Sequence, residues 1–127
     1  MSLLDDIGDK LIADGVAGGV TGWTLYKSYQ PDSPDKAVTI LETGGPDPDQ
    51  TPGIAHTFPT FQMRVRDSTF EYEAARTKIQ EVFDSLNNAT ITGYVYVFAK
   101  DSGPILLRYD AADERPELVW NFRTMKA

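Results

Sequence analysis

The chain has 127 residues, no cysteine, 41% hydrophobic residues and a formal net charge of −7. This fits one domain of ordinary size with a real core, and it excludes disulfide frameworks, thiolate nucleophiles and thiolate metal sites. Residues 1–58 carry nine acids and three bases, a net of −6, and residues 59–127 carry ten acids and nine bases, a net of −1. Such a field opposes tight binding to nucleic acid, which needs clustered Lys and Arg on phosphates.

The first element predicted is a helix. Ser2 stands at its N-cap, with Asp5 at the capping-box spacing, and Asp5 and Asp6 suit the positive end of the helix dipole. Leu3, Leu4, Ile7 and Leu11 recur at helical spacing, and Gly15 supplies a left-handed stop. The start MSLLDDIGDKL has neither a basic region nor a long apolar run, so it does not read as a secretory signal, and no apolar run in the chain approaches a membrane span. The glycine-rich stretch GVAGGVTG reads as a hinge, because no Lys-Ser/Thr follows to make a phosphate cradle.

Residues 23–29 alternate and are aromatic, which predicts a strand. QPDSPD is a turn, and residues 36–43, KAVTILET, are the partner strand. The stretch 44–58, GGPDPDQTPGIAHTF, follows as a long loop. Residues 60–67, TFQMRVRD, give the cleanest strand: Phe61, Met63 and Val65 share one face, and Gln62, Arg64 and Arg66 share the other. Ser68 and Glu71 form a second capping box, before a helix whose stripe is Tyr72, Ala75, Ile79, Val82, Phe83 and Leu86. Asn87 and Asn88 stop it. Three strands complete the chain: 90–99, 104–109 and 117–124, with KDSGP as a hairpin turn between the first two.

The order α, β, β, β, α, β, β, β predicts an α+β fold in one domain. A central helix packs on one face of a mostly antiparallel sheet, beside an N-terminal helix and a long Pro/Gly-rich loop. Tyr94, Tyr96 and Phe98 fall on one face of their strand, with Val95 and Val97 on the other, so that strand is either central or covered by another subunit.

A search for chemistry finds little. His56 is the lone histidine and stands in the loop, where a surface or interface contact outweighs catalysis. Counted from Asp47, the loop has Pro52 where a calcium-binding EF-hand needs glycine and Phe58 where it needs glutamate. No nucleophile elbow or acid/base pair stands out. No catalytic residue, metal ligand or cofactor is expected.

The run from Pro34 to Leu86 resembles the minor capsid protein family of long-tailed bacteriophages, read as tail terminators or tail-completion proteins. The blocks that carry the likeness are the strand ending in ETGG, the Pro/Asp-rich loop, PTFQMRVRD and the Tyr-x-x-Ala-x-x-Lys-Ile helix. The resemblance implies a virion protein of the neck, made in the bacterial host cytoplasm, that forms a homo-oligomeric ring, typically hexameric. The ring would cap the tail tube protein and meet the head connector or stopper, with DNA passing through the lumen unbound. A head-side connector or stopper is the alternative, and a small hydrolase is a reading from another class. On this reading Asp47, Asp49, Ile54, His56, Phe58, Arg64 and Arg66 are candidate inter-subunit or tube-interface residues, with Arg64 and Arg66 meeting a neighbour's Asp47 or Asp49.

Overall fold

The computed structural model describes residues 2–18, 21–48, 56–111 and 113–126. Helix α1 spans Leu3–Ala13, and the Ser2 side chain accepts from the Asp5 N–H at 3.2 Å. Gly15 ends it in the left-handed region at φ +69°. Leu3, Ile7 and Leu11 form its buried stripe. The capping and the stop are both as the sequence predicts.

Six strands follow as one sheet. They are β1 (Thr24–Lys27), β2 (Ala37–Gly44), β3 (Thr60–Arg66), β4 (Tyr94–Ala99), β5 (Ile105–Tyr109) and β6 (Pro116–Lys126), with helix α2 (Tyr72–Leu86) between β3 and β4. The spatial order is β1-β2-β3-β6-β4, and β5 also pairs with β6. All pairs are antiparallel except β1 with β2. The α+β class, the two helices and the mostly antiparallel sheet therefore hold.

Both helices lie on one face. Val38, Ile40, Phe61, Met63, Val65, Leu118 and Phe122 point to them and are fully buried, with Ile7, Leu11, Ala75, Ile79, Val82 and Leu86 opposite. Each large apolar side chain taken fully out of water contributes about 1.5–3 kcal/mol. Phe61 stacks on Phe122 at 5.1 Å between ring centroids, and Phe83 stacks on Trp120 at 4.4 Å. Two polar contacts fasten the helices: Ser85 Oγ donates to Asp14 at 2.6 Å, and the buried Lys78 ammonium donates to the Val16 carbonyl at 2.9 Å. Lys78 also lies 5.3 Å from the Trp23 ring centroid.

Four local expectations are corrected. First, β1 and β2 run parallel rather than as a hairpin. Residues 28–36 double back along β1, which is only four residues long. Nine extended residues reach roughly 30 Å, while four strand residues cover about 13 Å, so no crossover helix is needed.

Second, α2 begins at Tyr72, not after Ser68. The Ser68 N–H donates to the Asp67 carboxylate at 2.7 Å, and Glu71 makes no side-chain cap. Ser68 is thereby engaged in a turn, and Phe70 takes a left-handed φ of +59° before the helix can start. The far end is as expected: Asn88 adopts φ +59°, and the Asn87 side chain accepts from the Ala99 N–H at 2.9 Å.

Third, KDSGP is not a hairpin turn. Strands β4 and β5 pair end to end along one edge of β6, as a single interrupted strand. Pro104 lacks the N–H that a continuous ladder would need. The excursion is pinned by Trp120 Nε1, which donates to the Asp101 carbonyl at 2.9 Å.

Fourth, Tyr94 does not share a face with Tyr96 and Phe98. Tyr94 pairs with Lys126 and Tyr96 with Met125, so Val95 is an extra residue in a β-bulge. The bulge turns Tyr94 to the helix side, where its hydroxyl donates to Asp6 at 2.9 Å. Tyr96 and Phe98 stay together and stack at 5.1 Å. Strand β4 is an edge strand rather than a central one.

Candidate assembly surfaces

The face of the sheet away from the helices is polar. Register places Thr39, Arg64 and Val119 in one row and Leu41, Gln62 and Asn121 in another. Gln62 Nε2 donates to Asn121 Oδ1 at 3.0 Å, and Arg64 donates to Gln62 Oε1 at 3.2 Å. Thr39 donates to Gln30 at 2.8 Å, Gln30 donates to Glu117 at 2.9 Å, and Arg108 forms an ion pair with the same buried Glu117.

One end of this face is closed by the β1–β2 link. The buried Arg66 donates to the backbone carbonyls of Asp35 at 3.1 Å and Pro34 at 2.6 Å. Burial pulls its pKa down, and the nearby Arg115 guanidinium adds to this, against the carboxylates of Glu117, Asp32 and Asp35.

Arg115 lies beside it with a side chain only 2% exposed. It reaches Asp32 at 2.7 Å, Asp35 at 3.1 Å, Asp110 at 2.7 Å and Asp113 at 3.6 Å. Burial pulls its pKa down, but hydrogen bonds with Asp110, Asp32 and Asp35 more than reverse this and raise it. Among the described residues, the carboxylates of Asp32, Asp110 and Asp113 are close enough to share a metal ion. The Arg115 guanidinium supplies the positive charge they require, so the arrangement reads as a structural clamp.

The ends of the 44–58 loop are held together. Gly44 and Gly45 have φ of +85° and +133°. A Cβ on Gly45 would sit 2.1 Å from the Phe58 carbonyl oxygen, so only glycine permits this crossing. The return leg is tied to β6: the Lys126 N–H donates to the Thr57 carbonyl at 2.8 Å, and Thr124 donates to the Pro59 carbonyl. Phe58 and Pro46 line a groove of about 370 Å³ with Tyr96, Lys100 and Arg123.

The candidate residues therefore fall in separate places. Phe58 lines the groove beside β4, Asp47 is exposed, and His56 is half-buried with Nδ1 lacking a partner among the described residues. Arg64 and Arg66 line a different cleft of about 450 Å³ with Tyr29, Leu41 and Arg108. Arg64 is half-buried, and its Nε is buried without a hydrogen-bond partner among the described residues. Asp49 and Ile54 lie outside the described residues. The Arg115 clamp was not anticipated from sequence; its only signal was an arginine amid acids in the short link DAADERP. The exposed β5 was also missed, although four of the five residues of ILLRY are large and apolar.

A family model described as bacteriophage tail terminator protein matches residues 8–125, nearly the whole chain. The chain belongs to the bacteriophage tail terminator family. It is thus a structural protein of phage tails by family, and the family is not one of enzymes. A chain from the virion of a native gene transfer agent particle has the same fold, with a TM-score of 0.77 over 98% of this chain and 94% of that chain, at 19% identity. No curated protein matches the chain significantly in sequence.

Proposed function

We propose that this tail terminator works as a ring at the neck of the virion. Copies of the chain close into a ring, most simply a hexamer, that caps the last ring of tail tube protein and meets the head connector or stopper. The observation that carries the reading is the family match across residues 8–125. The apolar surface left exposed at the sheet edge supports it, because such surface marks a protein interface.

The net charge of −7 suits a lumen through which DNA slides without adhering. Arg66 is bonded within its own chain. Arg64, whose Nε has no partner among the described residues, is therefore the better candidate for a neighbour's acidic loop. The pinned loop 44–58 holds Asp47 outward for that contact, and Phe58 stands at its root.

Light scattering on the purified protein, alone and with tail tubes, tests the ring. A multimer that binds tube ends supports it. A strict monomer with no affinity for tubes, together with co-purification with heads rather than tails, contradicts it.

A further inference from the structure

The sheet ends in two lateral edges, and both carry uncovered apolar surface. At one edge, Ile105, Leu106, Leu107 and Tyr109 of β5 are between 40% and 45% exposed. Phe70, 67% exposed, brings its ring to 6.4 Å from that of Tyr109. Soluble proteins usually protect such an edge with charge. The one charged residue of β5, Arg108, is paired with Glu117 of its own sheet.

At the other edge, β1 borders a groove of about 440 Å³ walled by Ile12, Trp23 and Leu25. Ile12 is 49% exposed there. Gly18 keeps the floor open: a Cβ in its place would lie 3.2 Å from Ile12 Cγ1.

We infer that β5 of one copy docks in the α1–β1 groove of the next copy, so that the ring closes head to tail through the two edges of the sheet. The occupant is a second copy of this chain for two reasons. The two apolar patches lie at opposite lateral edges of one sheet, as a heterologous ring contact requires. Among the described residues β1 pairs only with β2 and β5 only with β6, so both strands keep a backbone edge for augmentation. Charge does not oppose the contact, because the cation on each side is neutralised within its own chain. Lys27, which lines the groove, is paired with Asp5 at 2.8 Å, and Arg108 of β5 is paired with Glu117.

This inference rests on the ring reading, and its test separates the two. The chain has no cysteine, so single cysteines report contacts cleanly. Leu107→Cys and Ile12→Cys change exposed positions. With a short bis-maleimide, a mixture of the two variants should give a covalent dimer that neither gives alone, and a chain carrying both should give a ladder up to the ring. Leu107→Glu should abolish ring mass while leaving the circular dichroism spectrum unchanged. Self-linking of Leu107→Cys alone would overturn the head-to-tail arrangement. Rings of normal mass that never link 107 to 12, or that survive Leu107→Glu, would overturn the edge contact and leave the ring standing. Monomers in every sample, virions carrying the same cysteines included, would overturn both.

Discussion

Replacing Arg115 with Met removes the guanidinium and keeps most of the volume. Four hydrogen bonds disappear, to the Asp32 carbonyl and to the side chains of Asp32, Asp35 and Asp110. Removing one partner of a fully buried ion pair costs about 3–5 kcal/mol. Here most of the acids can rehydrate, since Asp32, Asp35 and Asp113 are 87%, 55% and 54% exposed, and only Asp110, at 20%, is confined. Exposed pairs contribute about 0–1 kcal/mol each, and a confined charged hydrogen bond about 1.5–3 kcal/mol. The sum is about 3 kcal/mol. For 127 residues the unfolding entropy is about 0.27 kcal/mol per kelvin, so Tm should fall by about 11 °C. Calorimetry checks this. Asp110→Asn should cost about half as much, and Asp113→Asn less than about 0.5 kcal/mol. Amide exchange should also quicken in β1, because the clamp holds the link that makes β1 parallel to β2. An Arg115→Met protein within about 2 °C of the parent, or equal costs at Asp110 and Asp113, would refute the reasoning.

Three further outcomes are expected. Burial first, and the hydrogen bond to Asp6 second, raise the Tyr94 pKa above its usual value. The stability this gives is present below pH 10 and is lost as pH rises through the folded-state pKa. Tyr94→Phe should therefore cost about 1 kcal/mol at neutral pH and flatten the alkaline loss in denaturant titrations above pH 10, whereas an unchanged alkaline limb would count against it. Gly45→Ala should destabilise by about 2 kcal/mol or more, since it adds both a positive-φ penalty and a backbone clash with Phe58; a neutral effect in urea unfolding would mean that the crossing is not fixed. Deleting residues 46–56 should leave a folded chain by circular dichroism while abolishing ring assembly or tail joining, and infectious particles from the deletion would reduce the loop to a tolerated insertion.

What the sequence disclosed depended on how far each signal reaches along the chain. Ser2, the α2 stripe and the alternation of TFQMRVRD act over a few residues, and each appears in the structure where the pattern puts it. The parallel β1–β2 pair depends on Arg66 and Arg115, which lie far along the chain and hold the link by its carbonyls. The faces of Tyr94 and Tyr96 depend on a bulge at Val95 that is set by register against β6. A period of two cannot reveal an inserted residue, so every side chain beyond it is assigned to the wrong face. Ser68 had the capping spacing but gave its N–H to Asp67, a local competitor of the helix. The candidate surfaces were legible only in part. The loop and Arg64 stood out by composition and alternation. The exposure of β5 became visible only once β4 and β5 were seen to share one edge of β6.

As a tail terminator, this chain is proposed to end the tail. The most direct test is the length distribution of tails made by the phage with this gene deleted, measured in electron micrographs. A broad distribution with overlong tails lacking heads is expected, restored to one length by the intact gene. Tails of normal, uniform length joined to heads without the protein would contradict it.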